Sequence, residues 1–255
     1  MTSLDLFRLD GQSAVVVGGA GGLGAAMARG LAEAGAAVAV ADADLGRAKL
    51  VADSIAGGGG RALAVGVDAA DRGSVERMAA EVEECLGAVD VLVNSAGVTH
   101  RCPAVEFPEA EWHRVLAVNL TGVFWGCQVV GRRMLARRRG SIVNIASIAG
   151  QIGLTGTAAY AASKGGVVML TRALAVEWAS LGVRVNAIAP SWFESNIGDL
   201  IHREPGYAER AMRRVPVGRM GTPDELVGAV LYLASAASTM VTGHVLAVDG
   251  GTLAS

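Results

Sequence analysis

At 255 residues with 52% hydrophobic side chains, the chain can bury a core without staples, and its length allows one large domain or two small ones. A formal charge of −2 excludes a global attraction to nucleic acid or an anionic membrane, and apolar stretches broken by charge exclude a membrane span. Scattered Cys85, Cys102 and Cys127, four histidines without ligand spacing and an acidic, not apolar, start "MTSLDLFRLDGQ" argue against disulfides, a metal site and a signal peptide, and predict a cytoplasmic protein.

In chain order, "SAVVVGG" is a β-rich run stopped by glycines, and "GLGAAMARGLAEAG" has helical spacing with Gly35 at its end. "AAVAVAD" is a strand, Asp44 to Ala56 a helix, and the glycine run 57–60 a loop. "RALAVGVD" is a strand, Ser74 to Leu86 a helix ending at Gly87, and "VDVLVNSAG" a strand. A helix over 109–139 follows, then strand "SIVNIAS", a helix around Tyr160–Leu181 and strand "VRVNAIAP". In "TPDE", 222–225, a capping threonine, a first-turn proline and a glutamate three residues on mark a helix start, and "HVLAVDGG" closes the sheet. Apolar strands alternating with helices predict an α/β fold, a doubly wound parallel sheet covered on both faces. No linker or repeat splits the chain, so a single domain over 1–255 is expected. The irregular stretch 191–220, with the turn "EPGY", is expected to form a small lid. The basic run "GRRMLARRRG", 131–140, reads as a helix ending in solvent, where arginines suit the negative end of the dipole.

"VVVGGAGGLG" places Gly18, Gly22 and Gly24 between the first strand and the first helix. Such a loop lets the backbone turn sharply and approach a pyrophosphate, which the N–H groups of the helix N-terminus then hold; a tight turn in a glycine-rich chain is the alternative. Asp42 ends the second strand. An acid there accepts hydrogen bonds from the ribose 2′- and 3′-hydroxyls and repels a 2′-phosphate, although it also suits a helix N-cap. No Lys or Arg lies in the glycine loop, and Arg47, one helical turn on, is poorly placed to grip a phosphate, so NAD is expected over NADP.

"AAYAASKGG", 158–166, sets Tyr160 and Lys164 alone among small residues. Four apart on a helix means one face, one turn up. A free tyrosine titrates near pH 10, and lowering it to about 7 takes roughly 4 kcal/mol. A positive charge at ~4 Å in an effective dielectric of ~20 supplies about that much, so the lysine can turn the tyrosine into a usable acid or base. An ordinary helix with a packed tyrosine and a surface lysine would show the same spacing. The set decides between them, because the chain resembles the short-chain dehydrogenase/reductase family over essentially its whole length. Gly18–Gly24, "NSAG" at 94–97, Asn119 in "VNLTG", Ser147 in "NIAS", Tyr160 with Lys164, and "PSWFES" at 190–195 stand in the family's order.

The resemblance implies a Rossmann-type fold and an NAD(P)-dependent oxidoreductase that moves a hydride between nicotinamide and a secondary alcohol or ketone. It implies Tyr160 as general acid–base and Lys164 as the group that lowers its pKa and holds the nicotinamide ribose. Ser147 would bond the substrate oxygen, and Asn119 would fix a water that relays protons. Cofactor contacts are implied for Gly18, Gly22, Leu23 and Gly24, for Asp42, Asp68 and Ala69, for Asn94, Ala96 and Gly97, and for Tyr160, Lys164, Pro190, Phe193 and Ser195. Among these, Asp68 looks like the adenine contact, and Phe193 and Ser195 look like carboxamide neighbours. Three positions depart from the family pattern. Val17 replaces a threonine whose hydroxyl braces the loop, Ser95 replaces the second Asn of "NNAG", and Ser191 replaces the Gly of "PG", which predicts a more restricted backbone beside the nicotinamide.

The stretch 96–124 looks most like the family's sugar-acid and polyol dehydrogenases. His100 and Arg101 either reach a substrate carboxylate or hydroxyls or are exposed loop residues, and Gln151 and Trp192 flank the expected pocket beside Ser147 and Tyr160. A 3-oxoacyl-carrier-protein reductase fits the general pattern too, but such enzymes usually use NADPH, which Asp42 opposes. A nucleotide-binding regulator without turnover is the reading from another class, and the complete catalytic set argues against it. Finally, "LVGAVLYLASAAS" is apolar on nearly all faces, and no other element of the chain is left to cover its outer side. Together with the resemblance this predicts a homotetramer with the C-terminal segment between subunits, and small-molecule substrate as the remaining partner.

Overall fold

The computed structural model describes residues 2–194 and 207–255. Their strands are β1 (Ser13–Val17), β2 (Ala37–Asp42), β3 (Ala62–Gly66), β4 (Val89–Asn94), β5 (Gly140–Ile145), β6 (Val183–Pro190) and β7 (Val245–Val248). They form one parallel sheet in the order β3-β2-β1-β4-β5-β6-β7, as the alternation of apolar strands and helices predicts. The helices are α1 (Gly22–Glu33), α2 (Leu45–Gly57), α3 (Arg72–Leu86), α4 (Glu109–Leu116), α5 (Gly122–Arg137), α6 (Ala158–Trp178), α7 (Tyr207–Met212) and α8 (Val227–Ala234).

Successive side chains of a strand face opposite sides of a sheet, and here both sides are buried. Val15 and Val17 join the core beneath α3, α5 and α6, with Met78, Val130 and Trp178. Ala14 and Val16 join the core beneath α1, α2 and α8, with Met27, Ile55 and Leu226. The chain runs outward from β1 to β3 and returns to place β4 on the other side of β1. A crevice opens where the order reverses, at the carboxyl ends of β1 and β4.

Local chemistry sets most of the ends. Asp44, rather than Asp42, caps α2 by accepting the Arg47 N–H at 3.0 Å. Asp71 accepts the Gly73 N–H, so α3 starts two residues ahead of the Ser74 expected. The helix expected over 109–139 is α4 and α5 joined by a π-turn, Ala117–Thr121. Thr222 and Glu225 form the capping box that "TPDE" predicts. The expected lid, 191–220, lies partly outside the described residues. Within it, α7 contributes Ala211 to a small cluster with Ile148, Trp192 and Val215.

One expectation is corrected. The arginine run does not simply end in solvent. A register shift between β1 and β4 beside Asp90 leaves that carboxylate buried, and Arg137 and Arg139 both reach it at 3.3 Å. A buried charge needs partners, and these arginines supply them. Arg133 pairs with Glu83, and Arg138 closes α5 with φ 52° while donating to the Ser180 carbonyl. α1 lies beside α8 on the same face of the sheet, while Gly228 on the outer side of α8 is exposed and Leu231 and Tyr232 are half-buried. A Cβ on Gly30 would sit 2.4 Å from Val227, so the glycine is what lets the two helices touch. Leu226, Val230 and Leu233 are fully buried. No described helix is long and apolar enough to cross a membrane.

Candidate active site

A cleft of about 430 Å³ occupies the crevice at the carboxyl end of the sheet. One end of it is the glycine loop. Gly18 has φ 79°, and a Cβ there would lie 2.5 Å from the Ala96 nitrogen; a Cβ on Gly24 would lie 2.0 Å from the Gly18 carbonyl oxygen. Glycine alone permits this packing. Gly21 precedes α1 without a side-chain cap, so the first-turn N–H groups of Gly22, Leu23 and Gly24 keep the donor capacity that a pyrophosphate uses. Asp42 and Asp68 line the same end with Ala69, Ala96 and Gly97. The Asp42 carboxylate accepts the Ala20 N–H at 3.0 Å and the Asp44 N–H at 3.1 Å. A loop with a free helix N-terminus and an acid at the neighbouring strand end fits a pyridine dinucleotide.

Tyr160 and Lys164 stand one turn apart on α6 and both line the cleft, with Ser147 opposite them at the end of β5. Ser147 caps the turn Ile148–Gly150, its Oγ accepting the Ala149 N–H at 3.1 Å. Lys164 is buried and donates from Nζ to the Ile145 carbonyl at 2.6 Å. Its Nζ is 5.7 Å from the centre of the Tyr160 ring. Burial pulls the lysine down to about 8. Burial also raises the Tyr160 hydroxyl above its ordinary value, against a smaller lowering by its hydrogen bond with Ser147. The expectation that Lys164 pulls Tyr160 down is therefore reversed in this arrangement. Desolvation acts on both groups, and it disfavours the charged form of each.

Asn119 sits in the π-turn, fully buried. Its Oδ1 accepts the Val98 N–H at 2.8 Å, and its Nδ2 donates to the Val98 carbonyl at 2.9 Å and to Ser163 Oγ at 3.2 Å. Both amide protons are thus used, and the side chain clamps the chain leaving β4. A Cβ on Gly97 would lie 3.6 Å from Asn119 Oδ1 and 3.7 Å from Lys164 Nζ, so the clamp borders the lysine. Asn94 is likewise turned away from the cleft, donating to Asn144 Oδ1 at 2.9 Å, and Asn144 passes the chain of bonds on to Thr171.

Of the remaining residues expected at the site, Pro190, Trp192, Phe193 and Arg101 line the cleft. Gln151 is exposed and does not, because the turn after Ser147 carries it outward. His100 stands 3.4 Å from Glu111 and edge-on to Phe107, outside the cleft lining. Ser195 lies outside the described residues. Ser191 takes the place of a glycine without a positive φ, so it carries no backbone strain. Thr99, Val118, Leu154 and Thr157 line the cleft and were not expected. Val118 lies within the helix expected over 109–139 and the other three in stretches without periodicity, and only the fold brings the four together at the site. Among the described residues no three His, Cys, Asp or Glu side chains could hold a metal ion.

A family model described as enoyl-(acyl carrier protein) reductase matches residues 18–252. The chain is 39% identical over 249 residues to the 5-keto-D-gluconate 5-reductase of Escherichia coli, covering 98% of each. It is 42% identical over 245 residues to the D-threitol dehydrogenase of Mycolicibacterium smegmatis, covering 96% of this chain and 94% of that one. A crystal structure of a gluconate 5-dehydrogenase from Burkholderia cenocepacia, in complex with NADP and tartrate, superposes with a TM-score of 0.96 at 40% identity, covering both chains completely.

Proposed function

The chain belongs to the short-chain dehydrogenase/reductase family and is a pyridine-nucleotide oxidoreductase of secondary alcohols, and on that premise we propose that it interconverts a sugar acid or polyol and the corresponding keto compound. The observation that carries this reading is Arg101 at the cleft lining, on the loop that follows "NSAG", where its guanidinium donates to the Thr155 carbonyl at 3.1 Å. A guanidinium there suits a carboxylate, and the similarity to a keto-gluconate reductase and a threitol dehydrogenase supports both substrate types. Trp192 gives the apolar wall against which a sugar carbon chain packs.

When bound, the dinucleotide supplies the hydride chemistry. The glycine loop and the N-terminus of α1 hold its pyrophosphate, and Asp42 takes the adenosine ribose. In the reducing direction Tyr160 gives its hydroxyl proton to the carbonyl oxygen, which Ser147 also holds by hydrogen bond. In the oxidising direction the Tyr160 phenolate takes that proton. Lys164 has three N–H groups, one of them spent on Ile145, which leaves two that would serve the tyrosine and the nicotinamide ribose. Asn119 keeps Val98, and with it the loop that carries Arg101, in register.

NAD is the preferred cofactor in this reading, because Asp42 presents a carboxylate where NADP would present a 2′-phosphate. The NADP in the Burkholderia structure favours the opposite preference, which is the second reading. A purified-protein assay at 340 nm decides both points, with aldonates and polyols offered in turn with NAD and NADP. Turnover of aldonates or polyols with NAD is expected, and nucleotide binding without turnover on any alcohol would overturn the enzymatic reading of the site. We read the protein as a single catalytic domain, cytoplasmic, and as a homotetramer. Support for assembly comes from the partly exposed outer side of α8, from the free edge of β7, where Ala247 is exposed, and from Met240, exposed at 96%. Light scattering at micromolar concentration tests it, with a mass near that of one chain as the contrary result.

A further inference from the structure

We propose that Asp42 is the brace of the glycine loop as well as the acceptor for the ribose, so that one carboxylate sets both the affinity for dinucleotide and the choice between two of them. The second half of this statement rests on the NAD reading above; the first half stands on the loop geometry alone. Val17 has no hydroxyl with which to hold the loop, and its side chain is buried. The Gly18 and Gly19 amides bond the Ala41 carbonyl at 2.8 and 3.1 Å, and the Gly21 amide bonds the Gly18 carbonyl at 3.3 Å. The Ala20 amide, at the crest, goes to Asp42 Oδ2. Among the described residues this is the one side-chain bond to a main-chain amide of the loop.

The carboxylate can do both tasks because of its capacity. An ionised carboxylate offers about four lone-pair sites. The Ala20 and Asp44 amides take one on each oxygen, and one on each oxygen remains, the number a 2′,3′-diol requires. The position is fixed as well. Asp42 is the last residue of β2, paired with Gly66 on β3, and its neighbour Ala41 pairs with Val17 on β1. Gly19 beside the crest has no room for a side chain, since a Cβ there would lie 2.8 Å from the Val16 carbonyl oxygen, so no side chain of its own can hold the crest in place of Asp42. Releasing the crest therefore loosens the turn that aims the first amides of α1. A substitution made to admit a 2′-phosphate would remove the charge that repels it and the brace that holds the loop.

Asp42→Ala removes charge and acceptor together, whereas Asp42→Asn removes the charge and keeps one oxygen acceptor. We would measure amide hydrogen exchange at Ala20 in the protein without nucleotide, and the dissociation constants of NADH and NADPH by fluorescence titration. Expected are exchange at Ala20 at least about tenfold faster in Asp42→Ala, an intermediate rate in Asp42→Asn, and NADPH bound about tenfold more weakly by the alanine than by the asparagine variant. Equal NADPH affinities with unchanged Ala20 exchange would overturn the brace. Wild-type preference for NADPH would instead sink the NAD reading and leave the brace standing. Should Asp42→Ala not fold, Asp42→Val, which likewise offers no acceptor, takes its place, and a wild-type exchange rate at Ala20 there overturns the proposal.

Discussion

At the glycine-loop end of the cleft the ligand-facing groups are mostly main chain: amides at the start of α1, glycines packed against Ala96 and Gly18, and a carboxylate tied to two more amides. At the other end, beyond Tyr160, the lining is side chain: Arg101, Leu154, Thr157 and Trp192, drawn from segments with no common period. Main-chain geometry tolerates little change of residue, because Gly18, Gly19 and Gly24 stand where a Cβ has no space. Side-chain linings are exchanged freely on one scaffold. In the function proposed above, the first end would therefore serve what is common to pyridine-nucleotide enzymes, and the second would select the alcohol.

The sharpest test lies on the border of the two ends. Tyr160→Phe should lower turnover by about 10²–10⁴-fold with NADH affinity almost unchanged, since the ring remains; retention of more than about a tenth of wild-type kcat would remove the tyrosine from its role. Lys164→Met should damage turnover and NADH binding together.

A pH profile reads the same border. Because Tyr160 lies above its ordinary value, the phenol is protonated at neutral pH and the base form is scarce. Alcohol oxidation should climb by up to about tenfold per pH unit and flatten near pH 8, where Lys164 loses its charge. Ketone reduction, which uses the phenol, should stay nearly flat over that range. A flat oxidation profile would mean that burial does not control the tyrosine.

Glycine replacements separate the two ends directly. Gly18→Ala meets both a positive φ and a 2.5 Å clash, and should weaken dinucleotide binding by about tenfold or more. Gly153→Ala, in the turn region beside the substrate end, has open space around it and should change neither binding nor melting temperature measurably. Comparable losses from both would dissolve the contrast. Arg101→Ala should raise KM about tenfold for a substrate with a carboxylate and leave KM for an uncharged polyol as it was, an outcome that steady-state kinetics on the two substrates would settle. The smallest effect is expected from Ser191→Gly. With no positive φ to relieve, nucleotide affinity should stay within about 0.5 kcal/mol of wild type by titration.

The order of strands and helices, the parallel sheet, the glycine loop and the Tyr160–Lys164 face were all legible in the sequence. Each is a local matter: a period of two or 3.6, a cap, or a spacing along one helix. Asp71 shows the limit of local reading, because a cap can move a helix start by two residues. What the sequence left open depended on groups far apart in the chain. Burial by several elements, and not the lysine one turn away, fixed the direction of the Tyr160 shift. Val98, twenty-one residues away, engaged Asn119. Gly30 on α1 let that helix approach Val227 at the start of α8. Ala20, twenty-two residues before Asp42, turned an expected ribose contact into a candidate loop brace. Desolvation and hydrogen-bond partnership belong to the packed molecule, so no window along the chain contains them; periodicity and capping belong to the chain itself.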